Sequence, residues 1–140
     1  MYIDGENLIL GRMANEVAQM LMAGEPIVIV NAEKVIISGN KNDIFKRFKH
    51  RTDLADRGNP RRGPFFPKTS ARIVRRSIRG MLPWGKPSGR DAFRRLKVFE
   101  GVPQDYVDAD LNKIENADGN KLGTHKMVTV AELSKYLRGD

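Results

Sequence analysis

The sequence contains no cysteine, which excludes disulfide bonds, thiolate metal sites and cysteine redox switches. It also lacks long hydrophobic runs, and its apolar stretches are far shorter than the ~18 residues that a membrane span needs. The N-terminal stretch MYIDGENLIL is acidic and has too little apolar length for a signal or transit peptide, so a cytoplasmic protein is expected. With 140 residues, 40% hydrophobic and 30% charged, the chain is expected to form a single domain, 1–140.

Acidic residues are scarce in the middle of the chain. Residues 41–100 contain 18 lysines and arginines against five acidic residues, a net charge of +13, whereas residues 1–40 carry −3 and residues 101–140 carry −2. The whole chain has a net charge of +8 and an isoelectric point of about 10.0. Positive charge concentrated in one region indicates a polyanionic partner, with nucleic acid the first candidate and an anionic membrane surface the second.

Short apolar runs separated by turn residues predict an α/β fold. Residues 8–10 are expected to form a buried strand, and Gly11 a tight turn into a helix that ends at Gly24. The apolar residues of that helix follow the i, i+4, i+7, i+8 pattern at Met13, Val17, Met20 and Leu21. The run Ile27–Val30 is typical of a strand covered on both faces, and residues 35–37 form a further apolar run. Strand, helix and strand with short connections favour a parallel βαβ unit.

The basic middle of the chain predicts helices separated by loops. Asn40 is a suitable N-cap for a helix that carries Ile44, Phe45 and Phe48. Residues 53–68 are rich in glycine, proline and arginine and are expected to form a long loop. A helix is then expected from residues 69–70 onwards, and residues 83–87 break it.

Beyond this break, capping residues predict two more helices. Ser88 and Asp91 match a weak capping box, and residues 98–99 are expected to form a strand. Residues 105–126 are polar, with a turn expected at 118–120. Thr129 and Glu132 match a capping box for a final helix that buries Leu133 and Leu137.

The helix that begins near residue 70 has two stripes. On a helical wheel, one sector contains the apolar residues Ala71, Val74, Ile78, Met81 and Leu82. A second stripe, centred roughly 120° away and called here the arginine stripe, contains Arg72, Arg75, Arg76 and Arg79. No acidic residue lies between Lys68 and Lys86, and like charges at i, i+4 destabilise a helix by a few tenths of a kcal/mol. The arginine stripe is therefore expected to face a partner outside the chain.

Basic residues recur in three more clusters, which favours nucleic-acid binding over a merely solvated face. The clusters are Lys46, Arg47, Lys49 and Arg51; then Arg57, Arg61 and Arg62; then Arg90, Arg94, Arg95 and Lys97. Arginine outnumbers lysine here, which favours recognition of phosphates and base planes. The aromatic residues Phe65, Phe66 and Trp84 are candidates for stacking on unpaired bases, with ordinary packing as the alternative.

Several blocks of this sequence resemble the archaeal form of the large-subunit ribosomal protein L-thirteen family. They are NPRRGP, RRSIRGMLPWGK and GRDAFRRLKVFEGVP, with LGRMANEVA and IVNAEKVIISGNK nearer the N-terminus. The resemblance covers about residues 7–103. It implies a three-layer α/β fold around a small, mostly parallel four-stranded sheet. It also implies a structural component of the large ribosomal subunit, with large-subunit ribosomal RNA and neighbouring ribosomal proteins as partners.

The resemblance also implies RNA contacts by the basic residues inside the matched blocks. These are Arg61, Arg62, Arg72, Arg75, Arg76, Arg79, Lys86, Arg90, Arg94, Arg95 and Lys97. Together with the charge pattern, this predicts RNA contacts by Lys46, Arg47, Lys49, Arg51, Arg57, Arg61, Arg62, Lys68, Arg72, Arg75, Arg76, Arg79, Trp84, Lys86, Arg90, Arg94, Arg95 and Lys97. No catalytic residue, metal, cofactor, membrane or small-molecule substrate is expected.

An enzyme is one alternative, because a parallel α/β sheet often binds nucleotides at its strand ends. The motifs for this chemistry are missing: residues 11–12 lack the GxGxxG spacing, residues 38–41 lack the first glycine of a P-loop, and no GxSxG occurs. His50 and His125 have no HxxxH or HExxH partner for a metal. A DNA-binding or free regulatory RNA-binding protein is the other alternative, and the sequence leaves it open.

Overall fold

The computed structural model describes residues 1–54, 58, 61, 63–121 and 126–139. Six strands are present in this part of the chain: β1 (Tyr2–Asp4), β2 (Ile27–Val30), β3 (Ile36–Ser38), β4 (Leu96–Val98), β5 (Leu111–Asn112) and β6 (Met127–Thr129). Four of them form a parallel sheet in the order β4-β2-β1-β5, while β3 pairs antiparallel with β6. The α/β fold with a small parallel four-stranded sheet is therefore confirmed.

Five α-helices surround the strands, consistent with the expected three-layer arrangement. They are α1 (Leu10–Met22), α2 (Lys41–Asp53), α3 (Ser70–Arg79), α4 (Pro87–Arg94) and α5 (Val130–Arg138). Helix α1 packs against α3 and α4, and α5 packs against α2 and α3. Three of the four apolar side chains expected from the periodicity of α1, those of Met13, Val17 and Leu21, are fully buried, while Met20 is only partly buried against the core.

The first strand lies earlier than the sequence predicts. Residues 8–10 do not form a strand: Leu8 and Ile9 make only isolated bridges, to Asp118 and Ile36, and residue 10 begins α1. The Ile9 carbonyl accepts a hydrogen bond from the Met13 N–H at 2.9 Å, so this apolar run already belongs to the start of a helix. A parallel βαβ unit is present as predicted, but its first strand is β1, followed by α1 and β2.

The capping box predicted at Ser88 is also wrong. Helix α4 begins at Pro87 with Lys86 as its N-cap and has no side-chain cap, so Ser88 lies inside the first turn. Proline at the first helical position accounts for this, because its φ is already helical and it has no N–H to satisfy. The following strand, β4, begins two residues before the predicted one.

The predicted starts of α2 and α5 agree with the structure. Asn40 caps α2 by accepting a hydrogen bond from the Asn42 N–H at 3.0 Å, and Thr129 caps α5 by accepting from the Glu132 N–H at 3.2 Å. Helix α5 buries Leu133 and Leu137 as predicted. The polar stretch 105–126 contributes strand β5 at the edge of the sheet, which the sequence did not predict.

The turn between α3 and α4 depends on one glycine. Gly89 is buried, and a Cβ added to it would lie 2.1 Å from the carbonyl oxygen of Pro83. This close backbone approach brings α4 against the end of α3, and only glycine allows it without a shift of the chain. The turn thereby places the aromatic residues of the 84–93 segment beside the arginines of α3.

Candidate nucleic-acid interface

Helix α3 buries a face close to the predicted one. Val74, Ile78 and Leu82 are buried as expected, and so is Ile73, which the wheel left out. Met81 is 46% exposed, contrary to the prediction. The reason is that α3 ends at Arg79 and the chain continues in a turn, with the Met81 N–H bonded to the Ile78 carbonyl at 3.0 Å.

The arginine stripe lies on the solvent side of α3. Arg72, Arg75 and Arg76 are exposed and Arg79 is half-buried. Within the described ranges, no stripe arginine pairs with a carboxylate or donates a hydrogen bond to a protein acceptor. Four guanidiniums on one helix side thus keep their N–H donors for a partner outside the chain.

Three stripe arginines lie instead over aromatic rings. The guanidinium carbon of Arg75 is 4.6 Å from the ring centroid of Phe93, that of Arg76 is 5.3 Å from Phe66, and that of Arg79 is 4.4 Å from Trp84. Such cation–π contacts hold a guanidinium in place without a hydrogen-bond acceptor. The side chains are therefore positioned while their donors remain available to phosphate.

Trp84 is one of the aromatic residues that hold the guanidiniums of the arginine stripe, and its ring is itself packed against a neighbour. Its ring contacts that of Phe93 edge-on, with the centroids 5.3 Å apart and an interplanar angle of 84°. With Arg79 over the ring as well, Trp84 joins the end of α3 to α4. The packing alternative for Trp84 thus accounts for the contacts that the structure shows.

The arginine stripe and the aromatic residues line an open groove of about 410 Å³, called here the arginine groove. Its lining residues are Phe65, Phe66, Pro67, Arg72, Arg75, Arg76, Arg79 and Phe93. Phe65 is 69% exposed at its edge, in contrast to the supporting Trp84. Guanidiniums beside an exposed ring suit a ligand that has both phosphates and bases.

The basic residues of α2 border the same side of the protein. Arg47 and Arg51 lie over the ring of Phe48, at 5.8 and 5.3 Å from its centroid, and Arg51 lines one pocket together with Arg76 of α3. Lys46 is exposed, and Lys49 forms an exposed ion pair with Asp53 at 3.3 Å. The cluster on α2 thus extends the positive surface beyond the arginine groove.

The basic residues around α4 are bound more closely to the protein itself. Arg90 donates from Nε to the Trp84 carbonyl at 3.1 Å, and Arg94 pairs with Asp91 at 3.3 Å. Arg95 donates from Nη2 to the Leu21 carbonyl at 2.6 Å, at the C-terminal end of α1. Its Nε is buried without a partner in the described structure. Arg95 is thus turned into the protein, which gives it a structural role that the sequence did not suggest.

The structure describes some of the other predicted RNA-binding residues but not all of them. Lys68, Lys86 and Lys97 are exposed, and so is Arg61. Arg57 and Arg62 lie outside the described residues. The Lys68 carbonyl accepts a hydrogen bond from the Ser134 hydroxyl at 2.6 Å, which joins the segment before α3 to α5.

Two functional candidates were not among the predicted site residues. Phe48 and Phe93 each hold arginines, and neither was predicted to contact RNA. For Phe48 a signal was available, since Arg51 follows at i+3 and such residues are neighbours on a helix. For Phe93 no local signal exists, because Arg75 lies on a different helix.

In the part of the chain that the structure describes, no helix is long and apolar enough to span a bilayer. Comparison with known proteins shows the family of the chain. Residues 1–105 match the family model described as ribosomal protein L13. The chain belongs to the ribosomal protein L13 family.

Relatives of this family match nearly the whole chain. The protein named large ribosomal subunit protein uL13 in Archaeoglobus fulgidus is 48% identical over 136 residues, which cover 96% of this chain and 85% of the relative. The protein of the same name in Methanocaldococcus jannaschii is also 48% identical, over 96% of this chain and 95% of its own length. That of Methanosarcina barkeri is 44% identical over the same shares.

Family membership confirms the resemblance found in the sequence. L13 proteins are ribosomal proteins and not enzymes, which confirms the prediction that the chain has no catalytic role. The match with relatives also includes the polar stretch 105–126, which the sequence resemblance did not cover. This stretch is therefore shared with these relatives although the family model ends at residue 105, and it contributes strand β5.

Proposed function

We propose that the chain is a structural protein of the large ribosomal subunit in the cytoplasm and that it binds large-subunit ribosomal RNA through the arginine groove. The observation that carries this proposal is the arginine stripe: three of its four guanidiniums lie over aromatic rings, and none has a protein acceptor among the described residues. The family and its relatives, named as large-subunit proteins, support the ribosomal setting. Neighbouring large-subunit proteins are further proposed partners.

The chemistry of the groove favours RNA over an anionic membrane surface. Arginine binds phosphate bidentately through a rigid fork of N–H donors, and aromatic rings stack on unpaired bases, which are common in structured RNA. A membrane surface would suit an amphipathic helix with its apolar side exposed. Helix α3 instead buries Ile73, Val74 and Ile78 in the core, so its apolar side is already covered.

The predicted RNA-binding residues contribute unequally in this proposal. We assign phosphate contacts first to the arginine stripe and then to other exposed cations, Lys46, Arg47, Arg51, Lys68, Lys86 and Lys97. Arg90 and Arg94 are partly occupied by Trp84 and Asp91, so they rank lower. We assign Arg95 a role in stabilising the fold and no contact with RNA.

The test is the salt dependence of binding to an in vitro transcript of the organism's own large-subunit RNA. If about six to ten phosphates are neutralised, affinity should fall by roughly 10³–10⁵ between 50 and 200 mM salt. An equally long unstructured homopolymer serves as the control and should bind more weakly at every salt concentration. A flat salt response with the large-subunit transcript would refute the proposal.

Sedimentation separates a ribosomal protein from a free regulatory one. In a sucrose gradient at moderate salt, the chain should migrate with large subunits and leave them only in high salt. Recovery solely from the fractions of free protein would favour the regulatory alternative.

A further inference from the structure

A second cavity lies directly beside the arginine groove. It has a volume of about 220 Å³ and lies between α2, α3 and the segment that precedes α3. Its walls include Phe48 of α2 and Phe66, and Phe66 and Arg76 also line the arginine groove. An RNA strand in the groove would therefore pass the mouth of this cavity.

We propose that this cavity, called here the base pocket, takes one unpaired nucleobase of the bound RNA. The inference rests on the proposed function, since it concerns the same RNA. The size is suitable: a cavity of about 150 Å³ accepts a benzene molecule, so 220 Å³ has room for a pyrimidine ring with its exocyclic groups.

The apolar walls of the pocket suit the faces of a base. Phe48 and Phe66 are both partly exposed, and each already lies near a guanidinium: Arg51 is 5.3 Å from the Phe48 centroid and Arg76 is 5.3 Å from the Phe66 centroid. Bases stack on phenylalanine rings and on guanidinium planes alike. The pocket therefore combines both kinds of stacking surface.

The polar groups of the pocket suit the edge of a base. The Thr52 hydroxyl donates to the Lys49 carbonyl at 2.9 Å, and the Ser77 hydroxyl donates to the Ile73 carbonyl at 3.2 Å. Because each proton is already used, each hydroxyl oxygen offers lone pairs to the N–H groups of a ligand. Arg51 and Arg76 supply donors to carbonyl groups of the same ligand. A base presents both donors and acceptors on its edge, whereas an apolar side chain presents neither.

Charge favours RNA over a protein side chain as the occupant. Two arginines line the pocket, and Arg76 lies between it and the groove where we place the phosphates. A nucleotide brings its own phosphate to this position, but an apolar side chain brings no charge to offset the two cations.

The first test locates the base directly in the unmodified protein. The chain is bound to the in vitro large-subunit transcript and irradiated at a wavelength that crosslinks bases to stacked side chains, and the modified peptides are sequenced by mass spectrometry. A nucleotide adduct is expected on Phe48 or Phe66. Absence of an adduct from both rings, with binding that remains steeply salt-dependent, would overturn the base pocket and leave the proposed function intact.

The second test fills the pocket without changing its charge. Ser77→Leu places a larger apolar side chain among the pocket residues, and Gln19→Leu makes a comparable change on the exposed side of α1 as the control. Removal of one stacked base should weaken binding roughly 5- to 150-fold, with the same slope against salt, because the phosphates remain neutralised as before. The control should bind as the unmodified protein does.

The outcomes of the second test are also decisive. Thermal unfolding followed by circular dichroism verifies that Ser77→Leu is folded, and if it is not, the crosslink decides alone. A folded Ser77→Leu variant that binds the transcript with unmodified affinity overturns the base pocket. If that variant also joins large subunits less well, a side chain of a neighbouring protein is the occupant instead.

Discussion

Helix α3 and the segment from α4 to β4 are both rich in arginine, but they use it differently. On α3, Arg75, Arg76 and Arg79 lie over aromatic rings and, among the described residues, donate to no protein acceptor. Around α4, Arg90 and Arg95 donate to backbone carbonyls, and Arg94 pairs with Asp91. The positive charge is similar in the two regions, whereas the number of N–H donors left for a partner is not.

The difference shows what separates an arginine that binds RNA from one that supports the fold. A carbonyl or carboxylate acceptor occupies the donors that would bind phosphate, and it lowers the free energy of the folded state. An aromatic ring orients the guanidinium and leaves those donors unoccupied. The identity of the contact, and not the local density of charge, therefore predicts the role of each arginine.

The largest effect is expected when the stripe loses its charge. The triple variant Arg75→Gln, Arg76→Gln, Arg79→Gln should reduce affinity for the large-subunit transcript by about three decades or more, since each charge-assisted contact contributes roughly 1.5–3 kcal/mol. The slope of log affinity against log salt should fall by about one for each phosphate that is no longer neutralised. Filter binding at several salt concentrations measures both quantities.

Stability is the control for this variant. The substitution removes three cation–π contacts, each worth about 0.5–1 kcal/mol, and relieves like-charge repulsion between Arg75 and Arg79. The free energy of unfolding should thus fall by only about 1–2 kcal/mol. A variant that is unfolded yet binds as before would show that these arginines serve the protein itself.

The buried face of α3 should give the reverse result. Ile78 is fully buried, so Ile78→Ala should lower the free energy of unfolding by about 2–5 kcal/mol, because it reduces apolar burial and leaves a cavity. Urea denaturation measures this change. RNA affinity per folded molecule and its salt slope should not change, and a reduced slope would mean that the two faces of α3 are not independent.

Arg95 tests the comparison within the basic segment itself. Arg95→Gln removes the donor to the Leu21 carbonyl and shortens a half-buried side chain, so the free energy of unfolding should fall by about 1–3 kcal/mol. The salt slope of RNA binding should stay the same, in contrast to the single substitution Arg75→Gln. Should Arg95→Gln reduce the slope by one without any loss of stability, Arg95 would belong with the stripe.

Much of the fold could be predicted because its signals are local. The N-caps Asn40 and Thr129 and the apolar period of α1 are all visible within a few turns of sequence. Strand β1 was missed because Tyr2–Asp4 is too short to show a period. It is held by β2 and β5 on its two sides, so what defines it is pairing with distant segments.

The same difference between local and long-range signals applies to the candidate site. The stripe was predictable because positions 72, 75, 76 and 79 share a helix side, which helical geometry alone decides. The role of Arg95 was not, because its acceptor is the Leu21 carbonyl, 74 residues away in sequence. The support of Arg75 by Phe93 likewise depends on the α3–α4 turn and the close approach at Gly89.

The smallest expected effect comes from releasing a partly occupied arginine. Asp91 and Arg94 form an exposed pair, with side-chain exposures of 59% and 79%, and such pairs contribute about 0–1 kcal/mol to stability. Asp91→Asn should therefore barely change the unfolding midpoint. It should raise RNA affinity by roughly two- to fivefold, because it frees the guanidinium and removes a negative charge next to the RNA.

Asp110→Asn, next to β5 at the opposite edge of the sheet from β4, is the matched control and should change affinity less. Isothermal titration at low salt, where surface electrostatics is least screened, can resolve the difference. Equal gains from the two variants would mean that net charge alone matters, and lower affinity of Asp91→Asn would mean that the pair positions Arg94 for its contact with RNA.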